Sequence, residues 1–119
     1  TLLDSIGKKV MVVEDMVKQL GLTNVEITRG RVEELPKKRS YDFVIGRAVT
    51  ALPTFFDWVH NKIRKGARNS PANGILYLKG GDYTGELKSS GLHPAKIWNL
   101  DEIIPEANLG EKYLIHFKI

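Results

Sequence analysis

The sequence predicts an α/β fold, a three-layer sandwich built on a mostly parallel sheet. Three observations carry that expectation. Short apolar runs alternate with segments whose apolar residues recur three or four apart. Gly21 and Pro53 stand between such segments as helix-stop and helix-start signals. The last seven residues alternate cleanly, which marks a late strand of a different kind.

The elements follow in order. Residues 1–4 (TLLD) read as a short strand ending in an acid. Asp4 or Ser5 can cap the next helix by accepting backbone N–H bonds. Between residues 7 and 20, Val10, Val13, Val17 and Leu20 fall on one helical face, turned to a core. Lys18 suits the negative end of the helix dipole, and Gly21 suits the C-cap. In residues 24–29, Val25 and Ile27 alternate with Glu26 and Thr28, a second strand. Residues 30–35 (GRVEEL) read as a loop holding one helical turn. Residues 36–40 form a polar, basic surface connection.

Residues 41–52 (YDFVIGRAVTAL) are the stretch around which the chain is organised. Phe43-Val44-Ile45, led in by Asp42 and closed by Gly46, read as a strand buried on both faces. Pro53 then starts a helix, where its missing N–H costs nothing. Phe55, Phe56, Val59 and Ile63 make that helix's buried stripe, which ends near Arg64-Lys65-Gly66. Residues 68–73 are a Pro- and Asn-containing loop, longer than a simple helix-to-strand connection requires. Residues 75–78 (ILYL) are a fourth strand ending at Lys79-Gly80-Gly81. Residues 83–88 predict a short helix and residues 95–100 a fifth strand. Residues 113–119 place Tyr113, Ile115, Phe117 and Ile119 on one face of a final antiparallel or edge strand.

Composition sets the bounds. The 119 residues suffice for one small domain. They contain no apolar run of about 18, the length that crosses a membrane as a helix. The absence of cysteine excludes disulfides, thiolate metal sites and a Cys nucleophile within the chain, and fits a reducing compartment. His60, His93 and His116 lack ligand spacing, so they read as structural or surface residues and no metal is expected. A net charge of +4 permits an anionic partner such as RNA. Basic residues recur at Lys8-Lys9, Lys37-Lys38-Arg39, Arg64-Lys65 with Arg68, and Lys79. Taken singly, each group reads as a solvated face.

Ligand sites of open α/β sheets lie beyond the carboxyl ends of parallel strands, which singles out a few residues. Asp4 can accept hydrogen bonds from the two ribose hydroxyls of a nucleoside cofactor; the plain alternative is a helix cap. Val32-Glu33 follows the second strand and can border an adenine ring; the alternative is a solvated loop acid. Arg47 can clamp a carboxylate or phosphate, or simply stand as a surface cation after a strand. Lys79 adds a second cation on the same rim, and Gly80-Gly81 admit a ligand close to the backbone. No Ser-His-Asp elbow and no G-x-x-x-x-G-K loop is present, so neither a hydrolase nor a P-loop reading has support.

Four segments carry a resemblance: LLDSIGKKV (residues 2–10), LGLTNVEI leading into GRVEEL (20–35), YDFVIGRAVTAL (41–52) and GILYLKGG (74–81). In these the chain resembles the RsmG (GidB) family. The resemblance implies a Rossmann-like class I methyltransferase using S-adenosylmethionine to methylate N7 of a guanine in small-subunit ribosomal RNA. Asp4, Ser5 and Ile6 would sit by the cofactor ribose, Val32 and Glu33 would border the adenine, and Arg47 matches a family cofactor residue. Lys8, Lys9 and Lys79 match basic family positions, and their charge suggests RNA contact. The family's first strand, glycine-rich cofactor loop and N-terminal helical region would precede Thr1. The 119 residues would then be a partial methyltransferase domain, inactive alone, with a gap at the centre of its sheet. The loop at 66–74 is longer than the family's compact turn. The resemblance also implies a bacterial cytoplasm, or an organelle with bacterial-type ribosomes such as a plastid. Two other readings of the residues stay open: a fragment of a nicotinamide-dependent dehydrogenase, which shares an acid after a strand, and a non-catalytic RNA-binding module.

Overall fold

Strand β1 (Leu2–Asp4) leads into helix α1 (Gly7–Gln19) and returns as strand β2 (Ile27–Arg29), parallel to β1. The register sets Leu2 beside Ile27 and Asp4 beside Arg29. In this computed structural model, residues 1–47 and 50–119 are described. Ala48 and Val49, which belong to the segment 41–52, lie outside the described residues. The chain forms two compact units, Thr1–Pro36 and Lys37–Ile119.

In the first unit, β2 is shorter than the alternation of residues 24–29 suggests, because β1 offers only three residues to pair with. Val10 is buried on α1 and Val13 and Val17 are half-buried, as the spacing requires. Leu20 is 72% exposed, against expectation. It is already the C-cap, where the chain turns off the helix face. Gly21, at φ +65°, then donates its N–H to the Lys18 carbonyl and Leu22 donates to that of Val17. Those paired bonds are the Schellman ending that glycine's left-handed conformation permits. A 3₁₀ turn, Val32–Glu34, follows β2.

The second unit runs β3 (Phe43–Arg47), α2 (Leu52–Val59), a 3₁₀ turn (His60–Lys62), β4 (Gly74–Gly80), α3 (Thr84–Ser90), β5 (Lys96–Asn99), α4 (Leu100–Ile103), a 3₁₀ turn (Pro105–Ala107) and β6 (Lys112–Lys118). Its sheet has the order β3-β4-β6-β5. β3 is parallel to β4, while β6 runs antiparallel to both β4 and β5. The last strand is therefore antiparallel, as expected, but it is interior; β5 takes the edge.

The core of this unit lies on one face of the sheet. Ile75 and Tyr77 of β4 and Ile115 and Phe117 of β6 are buried there, with Leu52, Phe55 and Val59 of α2 also buried. The Phe55 ring meets Tyr77 at 5.7 Å between centroids, and Phe56 meets Phe117 edge-on. Gly46 pairs with Tyr77 and faces Phe55 so closely that a Cβ would collide with the ring. The opposite face carries Ile45, 65% exposed, with Leu76 and Leu78 half-buried. The expectation that β3 is buried on both faces is therefore corrected. Among the described residues β3 pairs on one side only, with β4, and the packed core of this unit lies between α2 and one face of the sheet. Ile63 is also corrected. It is fully buried, but not on the helix stripe: α2 ends at Val59, and Ile63 is extended, bridging Tyr41.

Candidate functional site

In the first unit, Asp4 is the last residue of β1, at the carboxyl end. Its Oδ1 accepts the Ile6 N–H at 2.9 Å, closing a tight turn into α1. The helix itself starts without a side-chain cap, since Ile6 holds the N-cap position. The cap reading of Asp4 and Ser5 is thereby replaced by an Asx turn. Asp4 is half-buried, and its carboxylate makes no further hydrogen bond among the described residues, so its second oxygen remains an available acceptor. Ser5 and Ile6 are exposed beside it. Lys8 and Lys9 are exposed in the first turn of α1, which contains no acid. Cations at the positive end of a helix are electrostatically uncompensated, and an anion there would relieve both.

Val32 and Glu33 lie in the 3₁₀ turn that follows the carboxyl end of β2. Val32 is half-buried. Glu33 approaches Arg31 at 3.9 Å, a loose surface pair worth little. Arg29, at the end of β2, lays its guanidinium against Gly7, where any side chain would press on it.

In the second unit, Arg47 ends β3 and is exposed, with no ion pair among the described residues. Its register partner is Leu78, so Lys79 lies one residue further along the neighbouring strand. The two cations share the carboxyl end of the sheet, but the pleat sends them to opposite faces.

Lys79 is not free. Its Nζ donates to Glu86 Oε2 at 2.9 Å, while Glu86 Oε1 accepts the Leu52 N–H at 3.0 Å. One carboxylate thus ties β4, α3 and the start of α2 together. The hydrogen bond to Glu86 raises the Lys79 pKa. Burial pushes the Glu86 carboxyl up, but the hydrogen bonds from Lys79 and Leu52 outweigh it and hold the pKa below its ordinary value. Sequence reasoning missed Glu86. The available signal was Ala51, a residue that cannot cap the helix it precedes, so the first N–H groups of α2 needed an acceptor from elsewhere.

An acid at the end of β1, a turn after β2 and an arginine at the end of β3 are each placed where parallel α/β sheets hold ligands. The chain is thus an α/β protein with parallel β1–β2 and β3–β4 pairs. The family model described as rRNA small subunit methyltransferase G (GidB) matches residues 1–103, and the chain belongs to that family. It is 45% identical over 115 residues to a protein of Christiangramia forsetii named ribosomal RNA small subunit methyltransferase G, covering 97% of this chain and 53% of the relative. Proteins of the same name from Flavobacterium johnsoniae and from Bacteroides fragilis strain ATCC 25285 are 39% and 34% identical, each covering 99% of this chain and 54% and 56% of the relative. The chain spans about half the length of these curated relatives. No helix among the described residues is long and apolar enough to cross a membrane.

Proposed function

We propose that this chain is the greater part of the catalytic domain of a methyltransferase that acts on guanine N7 of small-subunit, 16S-type ribosomal RNA. S-adenosylmethionine, when bound by the residues named below, would supply an electrophilic methyl group to the N7 lone pair, with the bonding electron pair left on sulfur. That lone pair is available without deprotonation, so the residues bind and align, and none is assigned as a general base. Asp4 accepts the ribose hydroxyls through the carboxylate oxygen left over from its turn, with Ser5 and Ile6 alongside. Val32 and Glu33 border the adenine. Arg47 holds the cofactor from the end of β3. Lys8 and Lys9 meet RNA phosphate, and Lys79 reaches it only with the ammonium protons not given to Glu86.

The carrying observation is the family match over residues 1–103, in which each proposed cofactor residue falls at or just after the carboxyl end of a strand. Among the described residues, β1 and β3 each pair on one edge only, β1 with β2 and β3 with β4. Those open edges suit a further strand of the longer parent, so we assign methyl transfer to the full-length protein and not to these 119 residues alone. The test is incubation of the full-length protein with radiolabelled S-adenosylmethionine and unmodified small-subunit RNA, followed by digestion to nucleosides. Label in 7-methylguanosine is expected; label in another nucleoside, or transfer by the 119 residues alone, contradicts the reading.

A further inference from the structure

The amino ends of β3 and β4 carry a second basic surface, at the end of the sheet opposite Arg47 and Lys79. Two basic segments far apart in sequence are zipped together there. The Ser40 and Tyr41 N–H groups donate to the Lys62 carbonyl, and Arg64 N–H donates to the Tyr41 carbonyl at 2.8 Å. Arg39 donates to the Ile63 carbonyl at 2.7 Å, which anchors it beside that strand pairing. Just beyond lies an open cleft of about 640 Å³, lined by Asp42, Arg64, Lys65, Arg68, Asn69 and Asn73 with the backbone of Gly66.

The floor of the cleft is held in place. Asp42 accepts Arg64 Nε at 2.9 Å and Asn73 Nδ2 at 3.2 Å. Asn73 is buried; it also donates to the Arg64 carbonyl and accepts from Asn69 at 2.9 Å. Its backbone N–H donates to the Gly66 carbonyl at 2.9 Å. The long loop is therefore tied at both ends. Lys65 and Arg68 are exposed and have no ion pair among the described residues. Three cations face a single carboxylate, and no apolar side chain lines the cleft. A protein partner would want aromatic or aliphatic anchors at the centre of its interface, and none is offered. Phosphate oxygens want Arg, Lys and Asn donors, which are what is present.

We infer that this cleft is a second docking point for the RNA phosphate backbone, with Lys65 and Arg68 as its contacts and Arg64 held by Asp42 as its fixed wall. The inference rests on the RNA-substrate reading. β4 is seven residues long, so the cleft stands about 20 Å from the carboxyl-end rim. RNA engaged at both ends of the sheet would be held in register over the whole domain.

The test measures binding of a fluorescein-labelled small-subunit rRNA fragment to the full-length protein as a function of salt. Lys65→Gln with Arg68→Gln is compared with Lys18→Gln with Lys88→Gln, exposed lysines on α1 and α3. None of the four side chains makes a described contact that folding would miss. The cleft variant should raise Kd about tenfold at low salt and flatten the log–log salt dependence by roughly 1.5, as expected for two lost phosphate contacts. The control should change neither by as much. Equal losses in both variants reduce the cleft to bulk charge and overturn the inference. Unchanged binding in the cleft variant does so as well, and leaves the cleft to an acidic polypeptide. If the unsubstituted protein shows no salt-dependent RNA binding at all, the substrate reading itself fails.

Discussion

Glu86 holds Lys79 and the first turn of α2 at once, with Oε2 2.9 Å from the Lys79 ammonium and Oε1 3.0 Å from the Leu52 N–H. Replacing Glu86 with Ala removes both acceptor positions. A loss of about 1–2 kcal/mol is expected, the usual scale for a helix cap and a charged hydrogen bond. The shift of the urea midpoint measures it. Glu86→Gln keeps one acceptor oxygen and should recover part of the loss.

The same pair sets a pH window. The folded Glu86 pKa is lowered, so its contribution is present above the ordinary carboxylate range and is lost as pH falls through the folded value. The folded Lys79 pKa is raised, so its contribution is present below the ordinary lysine value and is lost as pH rises through the folded value. Unfolding midpoints recorded from acid to alkaline pH should fall at both ends, and Lys79→Met should remove the alkaline fall that this pair causes.

Asp42 adds to the acid limb. The Arg64 hydrogen bond holds its carboxyl below the usual range, although desolvation opposes it. The stabilisation is therefore present above about pH 4 and fades as pH drops through the folded value. Asp42→Asn should flatten the acid side of the stability profile. An unchanged acid slope would show that the Arg64 contact contributes nothing.

Three glycines rank by what a methyl group would meet. At Gly74 it meets the Phe117 backbone carbonyl, which cannot move without breaking the β4–β6 ladder. At Gly46 it meets the Phe55 ring, which can shift at a cost in packing. At Gly80 it meets only the end of the Lys112 side chain, 2.6 Å away. Alanine substitutions should cost more than about 3 kcal/mol, about 1–3 kcal/mol and less than about 1 kcal/mol in that order. Chemical denaturation of the three variants checks the ranking.

Much of this architecture was legible in the sequence. β1, α1, the turn at Val32–Glu34, β3, β4 and the antiparallel β6 follow from periodicity and from Gly21 and Pro53, because those signals are local. Sheet order is not local. Nothing in the alternation of residues 113–119 says that β6 inserts between β4 and β5, or that β3 pairs with β4 alone among the described residues and leaves Ile45 exposed. The candidate residues Asp4, Val32, Glu33 and Arg47 were found because strand ends can be read from apolar runs. Glu86 and the Asp42–Arg64–Asn73 network were not, because each depends on contacts between residues 20 or more positions apart.

The central claim is that Arg47 at the end of β3 belongs to a cofactor site. Calorimetric titration of S-adenosylmethionine into the full-length protein and its Arg47→Ala variant tests it most directly. The Arg47 side chain is exposed and makes no ion pair or hydrogen bond with a described residue, so the substitution should leave the unfolding midpoint unchanged. A rise in cofactor Kd of about tenfold or more is expected, the scale of one lost charged hydrogen bond. An unchanged Kd in a folded variant would contradict the assignment.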